Sequence, residues 1–297
     1  MGIGFLRFRM NPVASPSEPE VVISSMERFY RGVLSELLDK GGLGLDDKIL
    51  VVCGGEADRD CLTSLGFKNV TISNLDERLR ASGGEAFAPY HWEFQDLEKL
   101  SYPDEHFDFV IVHSGLHHLR SPHRGLLEMY RVARRGILGF EPHDSGFTRM
   151  GARLGFGQVY EDAAVFANEG RFGGVANTSV PNYVYRFDAK EIASVVQTFN
   201  PVAEHERRFW YSTQIPDRLK SLRNGLRYWL VRLASGALVL LGRCFPFFAN
   251  HIAFHIRKPD LPGELFPWLR MDEEGVKADQ EWLSRKYQPK SEDDKAP

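Results

Sequence analysis

Residues 49–76 read ILVVCGGEADRDCLTSLGFKNVTISNLD, and this stretch decides the fold. The aliphatic run 49–52 is too short for a helix and has the composition of a buried strand. It stops at Cys53-Gly54-Gly55-Glu56, where glycine permits a sharp turn and a close approach of backbone to a ligand. A helical pattern follows as far as Gly66, and residues 70–73 repeat the β-rich composition. Two strands joined through a helix need a crossover, so they run parallel.

The same alternation continues on either side. Residues 21–40 place Met26, Phe29, Tyr30, Val33, Leu34, Leu37 and Leu38 at helical spacing, ending at Gly41-Gly42. Downstream, FDFVIVH (107–113) and RGILGFE (135–141) read as strands around the helix-like GLLEMYRVARR. Ser121-Pro122 supplies that helix with an N-cap and a first helical position. Residues 142–184 are glycine-rich and irregular, which predicts short helices and lid loops. A helix over 188–199 and strands over 202–211 and 250–257 complete the pattern, with an insertion at 212–249 between the two strands. Strands alternating with helices imply an open α/β sheet covered on both faces. The chain divides into a flexible segment at 1–20, one domain at 21–258, and an extension at 259–297. That extension has a helix near 278–287 and a charged end, PKSEDDKAP, expected to be disordered.

Composition excludes several classes. A chain of 297 residues, 43% hydrophobic, can bury a sizeable core. Lysines and arginines number 37 against 40 acids, a net charge of −3 that offers no global attraction to nucleic acid. The three cysteines, Cys53, Cys61 and Cys244, are too few for a disulfide framework or a zinc site and suit a reducing, cytoplasmic setting. The start lacks the apolar core and cleavage site of a secretory signal. From Arg218 to Lys258 there are eight basic residues and no acid. Arg227, Arg232 and Arg243 interrupt the apolar part and leave ten uncharged residues at 233–242, short of the ~20 that span a bilayer. No transmembrane segment is expected; a membrane-surface contact, a dimer contact and a plain helical lid all suit the insertion.

In open parallel sheets, ligands bind beyond the carboxyl ends of the strands. Cys53-Gly54-Gly55 stands there on the first strand, and Asn74-Leu75-Asp76 ends the second about 20 residues later, where a polar side chain reaches ribose hydroxyls. Next comes QDLEKLSYPDEHFDFVIVHSGLHHL, with Asp96 some ten residues before a strand that opens into His113-Ser114-Gly115-Leu116-His117-His118-Leu119. Over residues 49–142 this arrangement resembles the class I S-adenosylmethionine-dependent methyltransferases, with their "D-x-E-x-L-P" segment, "F-D-x-V" strand and following "H-H-L". The resemblance implies a Rossmann-like, mostly parallel seven-stranded sheet, with the helical insertion between its last two strands. It implies S-adenosylmethionine as cofactor, with Cys53, Gly54 and Gly55 against the methionyl part and Asn74 and Asp76 at the ribose. Asp96 and Leu97 would hold the adenine, while His113 and Ser114 would border the sulfonium through their backbone. The turn CGGEA departs from G-x-G-x-G: Cys53 and Ala57 replace the outer glycines, and Val51 and Asn74 stand where acids are common. Asp76 or Glu56 would then serve the ribose.

Methyl transfer needs the acceptor in line behind the methyl carbon, and a hydroxyl acceptor must also lose its proton. Histidine titrates near ~6.5 and suits that task. His117 is the first candidate base and His143 the second; Tyr30 is placed on the substrate side, and Glu141 would either orient one of these imidazoles or bind an amino group of the substrate. His113 and His117 are four apart, but a strand end and Gly115 exclude a shared helical face, so no metal site is expected. The reading is a methyltransferase of a small organic acceptor, with O-methylation of a sugar or natural-product hydroxyl ahead of N- or C-methylation. Its rivals are a catalytically silent cofactor-binding partner protein and a nicotinamide-dependent oxidoreductase.

Overall fold

The computed structural model describes residues 24–80, 82–155, 158–214, 233, 236–242 and 244–287. A seven-stranded sheet runs through it in the order β3-β2-β1-β4-β5-β7-β6. Its strands are β1 (Lys48–Val52), β2 (Asn69–Asn74), β3 (His91–Phe94), β4 (Phe107–His113), β5 (Ala133–Pro142), β6 (Glu206–Ser212) and β7 (His251–Arg257). Strands β1 to β5 pair in parallel, while β7 lies antiparallel between β5 and β6. The Rossmann-like sheet is therefore mostly parallel. Six strands, β1 to β6, run the same way and end on one edge, and β7 begins there.

Alternation along the central strands explains the two covered faces. Ile49, Val51, Phe109 and Ile111 pack with α1 (Ser25–Asp39) and α2 (Glu56–Leu65). Leu50, Val52, Val110 and Val112 pack on the other side with α3 (Pro122–Val132) and the helix α6 (Ala189–Phe199). The periodicity of α1 buries Tyr30, Val33, Leu34 and Leu37. Its start is capped by Ser24, whose hydroxyl accepts from the Glu27 N–H at 3.1 Å. Asp188 caps α6 in the same way, accepting from the Glu191 N–H at 2.8 Å.

The irregular segment contains α4 (Gly146–Arg153) and α5 (Asp162–Ala167), the short helices expected of it. Two features depart from the sequence reading. Strand β3 has only four residues, with His91 exposed, too short and polar to show alternation. The extension forms a hairpin of β8 (Leu269–Asp272) and β9 (Gly275–Ala278) before α7 (Gln280–Tyr287), and its exposed, charged strands carry no core pattern. The expected flexible start, 1–20, lies outside the described residues, as do most of the basic insertion (215–232) and the end (288–297). Among the described residues, no helix is long and apolar enough to cross a membrane.

Candidate active site

The mouth of β1 is built by close contact. The Gly54 N–H donates to the Ser73 carbonyl at 2.9 Å, which extends the β1–β2 ladder by one residue. A Cβ on Gly54 would lie 2.7 Å from Ile72 Cγ2, so only glycine fits. Cys53 adopts the left-handed region, φ 53°, as does Ser114 at the end of β4, φ 55°. These two turns meet: a Cβ on Gly115 would stand 2.5 Å from Cys53 Cβ. The Gly55 N–H donates to Asp58 Oδ2 at 2.8 Å, which draws the Asp58 carboxylate under the turn. Its Oδ1 is buried without a hydrogen bond, as are Tyr30 Oη and His113 Nε2. Asp58 Oδ1 lies 3.3 Å from His113 Nδ1, within ion-pair range but not aligned as a hydrogen bond. The Tyr30 ring stacks on His113 with centroids 4.5 Å apart.

At the next mouth, Glu141 is wholly buried and organises the β4 turn. Its Oε1 accepts from the N–H groups of Gly115 (2.9 Å) and Leu116 (2.8 Å), and its Oε2 lies 2.6 Å from His117 Nδ1. A buried carboxylate needs such donors, and here it sets both the turn and the ring. On the far side of the ring, His117 Nε2 is 3.3 Å from Glu161 Oε2, and His118 Nε2 is 3.3 Å from the same oxygen. Asn182 Nδ2 donates to the His117 carbonyl at 3.2 Å. Burial alone would depress His117, but Glu141 and Glu161 outweigh it and push its pKa up to about 9. Glu161 is held down to about 2, chiefly by His117.

His143 lies just past the core of β5 and is buried. Its Nδ1 is 3.3 Å from the Ala249 carbonyl oxygen, a contact in which only the nitrogen can donate. Burial lowers its pKa, so the ring is neutral at neutral pH, with Nε2 carrying the lone pair. No hydrogen bond engages Nε2 among the described residues. The ring packs on Tyr211 with centroids 5.1 Å apart. The Tyr211 ring packs on the α3/α6 side of the sheet. On the α1 side, where Trp210 packs, a cleft of about 750 Å³ between α1 and β6 is lined by Phe29, Arg28, Trp210, Gln214 and Val239. Gln214 Oε1 is buried there without a partner.

The structure thus brings Cys53, Gly54, Gly55, His113 and Ser114 together at one place, and His117, Glu141 and His143 beside them. Glu141 lies against the His117 imidazole, the first of the two places expected for it, and its carboxylate is engaged by the β4 turn and that ring rather than left open to a substrate amino group. Tyr30, also expected there, is fully buried behind His113, and its neighbour Phe29 faces the cleft. Asn74 braces the loop: its Nδ2 donates to the Gly54 carbonyl at 2.8 Å, and its Oδ1 accepts from the Asp76 N–H at 3.1 Å. Arg78 holds Asp76 and keeps its carboxyl below the usual range. Glu56 opens α2 on the surface, 3.4 Å from Arg59. Asp96 is exposed, with Oδ1 accepting from the Glu98 N–H at 2.9 Å, while the Leu97 side chain enters the core.

Four residues escaped the sequence reading. Asp58 looked like a surface helix residue, and Glu161 and Asn182 lie in the irregular segment, where no period singles them out. His251 looked like one more alternating strand position, yet the antiparallel run of β7 delivers it to the same edge. Burial, with His117, His113 and His143 nearby, pushes its pKa down to about 3.

A family profile described as a methyltransferase domain matches residues 50–138. No curated protein matches the chain. Solved structures similar to it include a magnesium protoporphyrin IX methyltransferase from Synechocystis with S-adenosylhomocysteine bound: 13% identical, covering 82% of this chain and 90% of that one, TM-score 0.47. A S-adenosylmethionine-dependent methyltransferase from Mesorhizobium loti is 13% identical over 74% of this chain and 95% of its own, TM-score 0.46. Another from Archaeoglobus fulgidus is 12% identical over 77% and 94%, TM-score 0.44.

Proposed function

We propose that this chain, a class I S-adenosylmethionine-dependent methyltransferase, methylates a hydroxyl group of a small polar acceptor, with His143 as the general base. The reading rests on one observation: a neutral His143 ring whose Nδ1–H is committed to the Ala249 carbonyl, leaving Nε2 as an acceptor without a hydrogen bond among the described residues, beside the Tyr211 ring. His117 has both ring nitrogens facing carboxylates, which leaves it no free lone pair for that role.

The residues at the β1 and β4 mouths fit the cofactor at its amino-acid end. Asp58 Oδ1 is a buried carboxylate oxygen without a hydrogen bond, and an ammonium group would satisfy it. This would answer the absence of an acid at Val51. Asp96 would hold the adenine amino group through the oxygen that the Glu98 N–H does not use. Asn74 and Asp76 would contribute to the ribose site by shaping the loop, since their polar atoms are already engaged. The bound cofactor supplies an electrophilic methyl group on a sulfonium sulfur.

The cleft would take the acceptor. Its wall of Phe29 and Trp210 suits an apolar ring face, and Gln214 Oε1 suits a hydroxyl donor. A sugar or hydroxylated natural product has both features. As the acceptor oxygen closes on the methyl carbon, its proton passes to His143 Nε2, and the C–S electron pair leaves with sulfur. The test is S-adenosylhomocysteine release across a panel of hydroxyl and amine acceptors. Turnover of hydroxyl acceptors that collapses in His143→Gln supports the reading; turnover of amines alone, indifferent to that change, sinks it.

A further inference from the structure

We propose that His117, His118 and Glu161 form a site for one divalent cation of the zinc type, with Glu141 orienting His117 from behind. The ligand atoms of the three residues all lie within 4.8 Å of one another. Glu161 Oε2 is 3.3 Å from His117 Nε2 and 3.3 Å from His118 Nε2. A charge-assisted N–H···O bond is shorter, about 2.7–2.9 Å. Zinc bonds to nitrogen and oxygen of about 2.0–2.2 Å place tetrahedral neighbours about 3.3 Å apart, the spacing of Glu161 from each histidine here.

Glu141 Oε2 lies 2.6 Å from His117 Nδ1, so the ring presents Nε2 toward Glu161. Two histidines and one carboxylate, with the first histidine backed by a carboxylate on its other nitrogen, form the donor set and outer support of a zinc site with a fourth position open. The site joins two elements: the histidines sit in the turn after β4, and Glu161 stands at the N-cap of α5. An ion there would pin the irregular segment across the β4 mouth. The inference is independent of the methyl-transfer reading, and so is its test.

Tag-free full-length protein is stripped with a chelator, dialysed against Zn²⁺ or Co²⁺, and its metal content measured. The expected result is one equivalent per chain, with the strong visible absorption of four-coordinate Co²⁺. His118→Ala and Glu161→Gln should each lose stoichiometric uptake while unfolding cooperatively, and Glu141→Gln should weaken affinity about 10- to 100-fold. Folded wild-type protein that takes up neither metal, or uptake unchanged in both ligand variants, would overturn the proposal.

Discussion

His143 Nδ1 lies 3.3 Å from the carbonyl oxygen of Ala249, the residue two before β7. The contact is possible because β7 runs antiparallel and starts where β5 ends, so the segment entering β7 crosses that edge of the sheet. A carbonyl cannot donate, so it selects one tautomer and leaves the other nitrogen as an acceptor. The charged groups that act on the ring are Asp144, Asp188 and Arg149, and burial outweighs them to keep it neutral.

Asp96 is expected to anchor the cofactor through one charge-assisted hydrogen bond. Asp96→Ala should cost about 1.5–3 kcal/mol of binding, a loss of roughly 10- to 100-fold by calorimetric titration. Unchanged affinity in a folded variant would remove Asp96 from the site.

Gly115 and Cys53 are coupled by contact. Gly115→Ala would bring a methyl group to 2.5 Å from Cys53 Cβ and 2.9 Å from Val112 Cγ2. Overpacking of this kind costs about 1–3 kcal/mol and here would also shift the cofactor turn. Cys53→Gly removes the clashing atom and the left-handed strain, so the double variant should unfold at higher denaturant than Gly115→Ala alone. Additive losses in the cycle would contradict the contact.

His255 ties stability to pH. Both its ring nitrogens are buried without partners, and burial lowers its pKa to about 4. A lowered histidine pKa means that the unfolded chain binds the proton first. The stability is therefore complete above about 6.5 and lost as pH falls toward 4, on the order of 3 kcal/mol in all. His255→Leu should exceed wild-type stability by more at pH 5 than at pH 8. An equal difference at the two pH values would show that the ring does not titrate this way.

The thiols should separate by reactivity. Cys53 and Cys61 are each pushed up to about 12, mainly by burial, whereas Cys244 is exposed. Iodoacetamide at pH 8 should label Cys244 and spare the other two, since the thiolate is the nucleophile. Rapid labelling of Cys53 would contradict the packed β1 turn.

The sheet was legible because buried parallel strands are continuous aliphatic runs, as at Ile49 to Val52 and Phe109 to Val112, each closed by a glycine turn. Strand β3 and the terminal hairpin were not, since short exposed strands carry no such run. Residues expected on the cofactor side could be named because they follow strand ends in order. The histidine environments could not: Glu141 reaches His117 across 24 positions and Ala249 reaches His143 across 106, partnerships that only the sheet order creates. His117, the first candidate base, has both ring nitrogens facing carboxylates, whereas His143 has only Nδ1 engaged among the described residues, a difference that strand order does not display.

The most direct test of the central claim is the pH profile of kcat for hydroxyl methylation in wild type and His143→Gln. The account predicts a wild-type rate that holds near neutrality and falls in acid below the ordinary histidine pKa, because only the neutral ring accepts the proton. It predicts His143→Gln to be about 10²- to 10⁴-fold slower, with cofactor affinity nearly unchanged and the acid limb gone. A variant that keeps both the wild-type rate and the acid limb would contradict it.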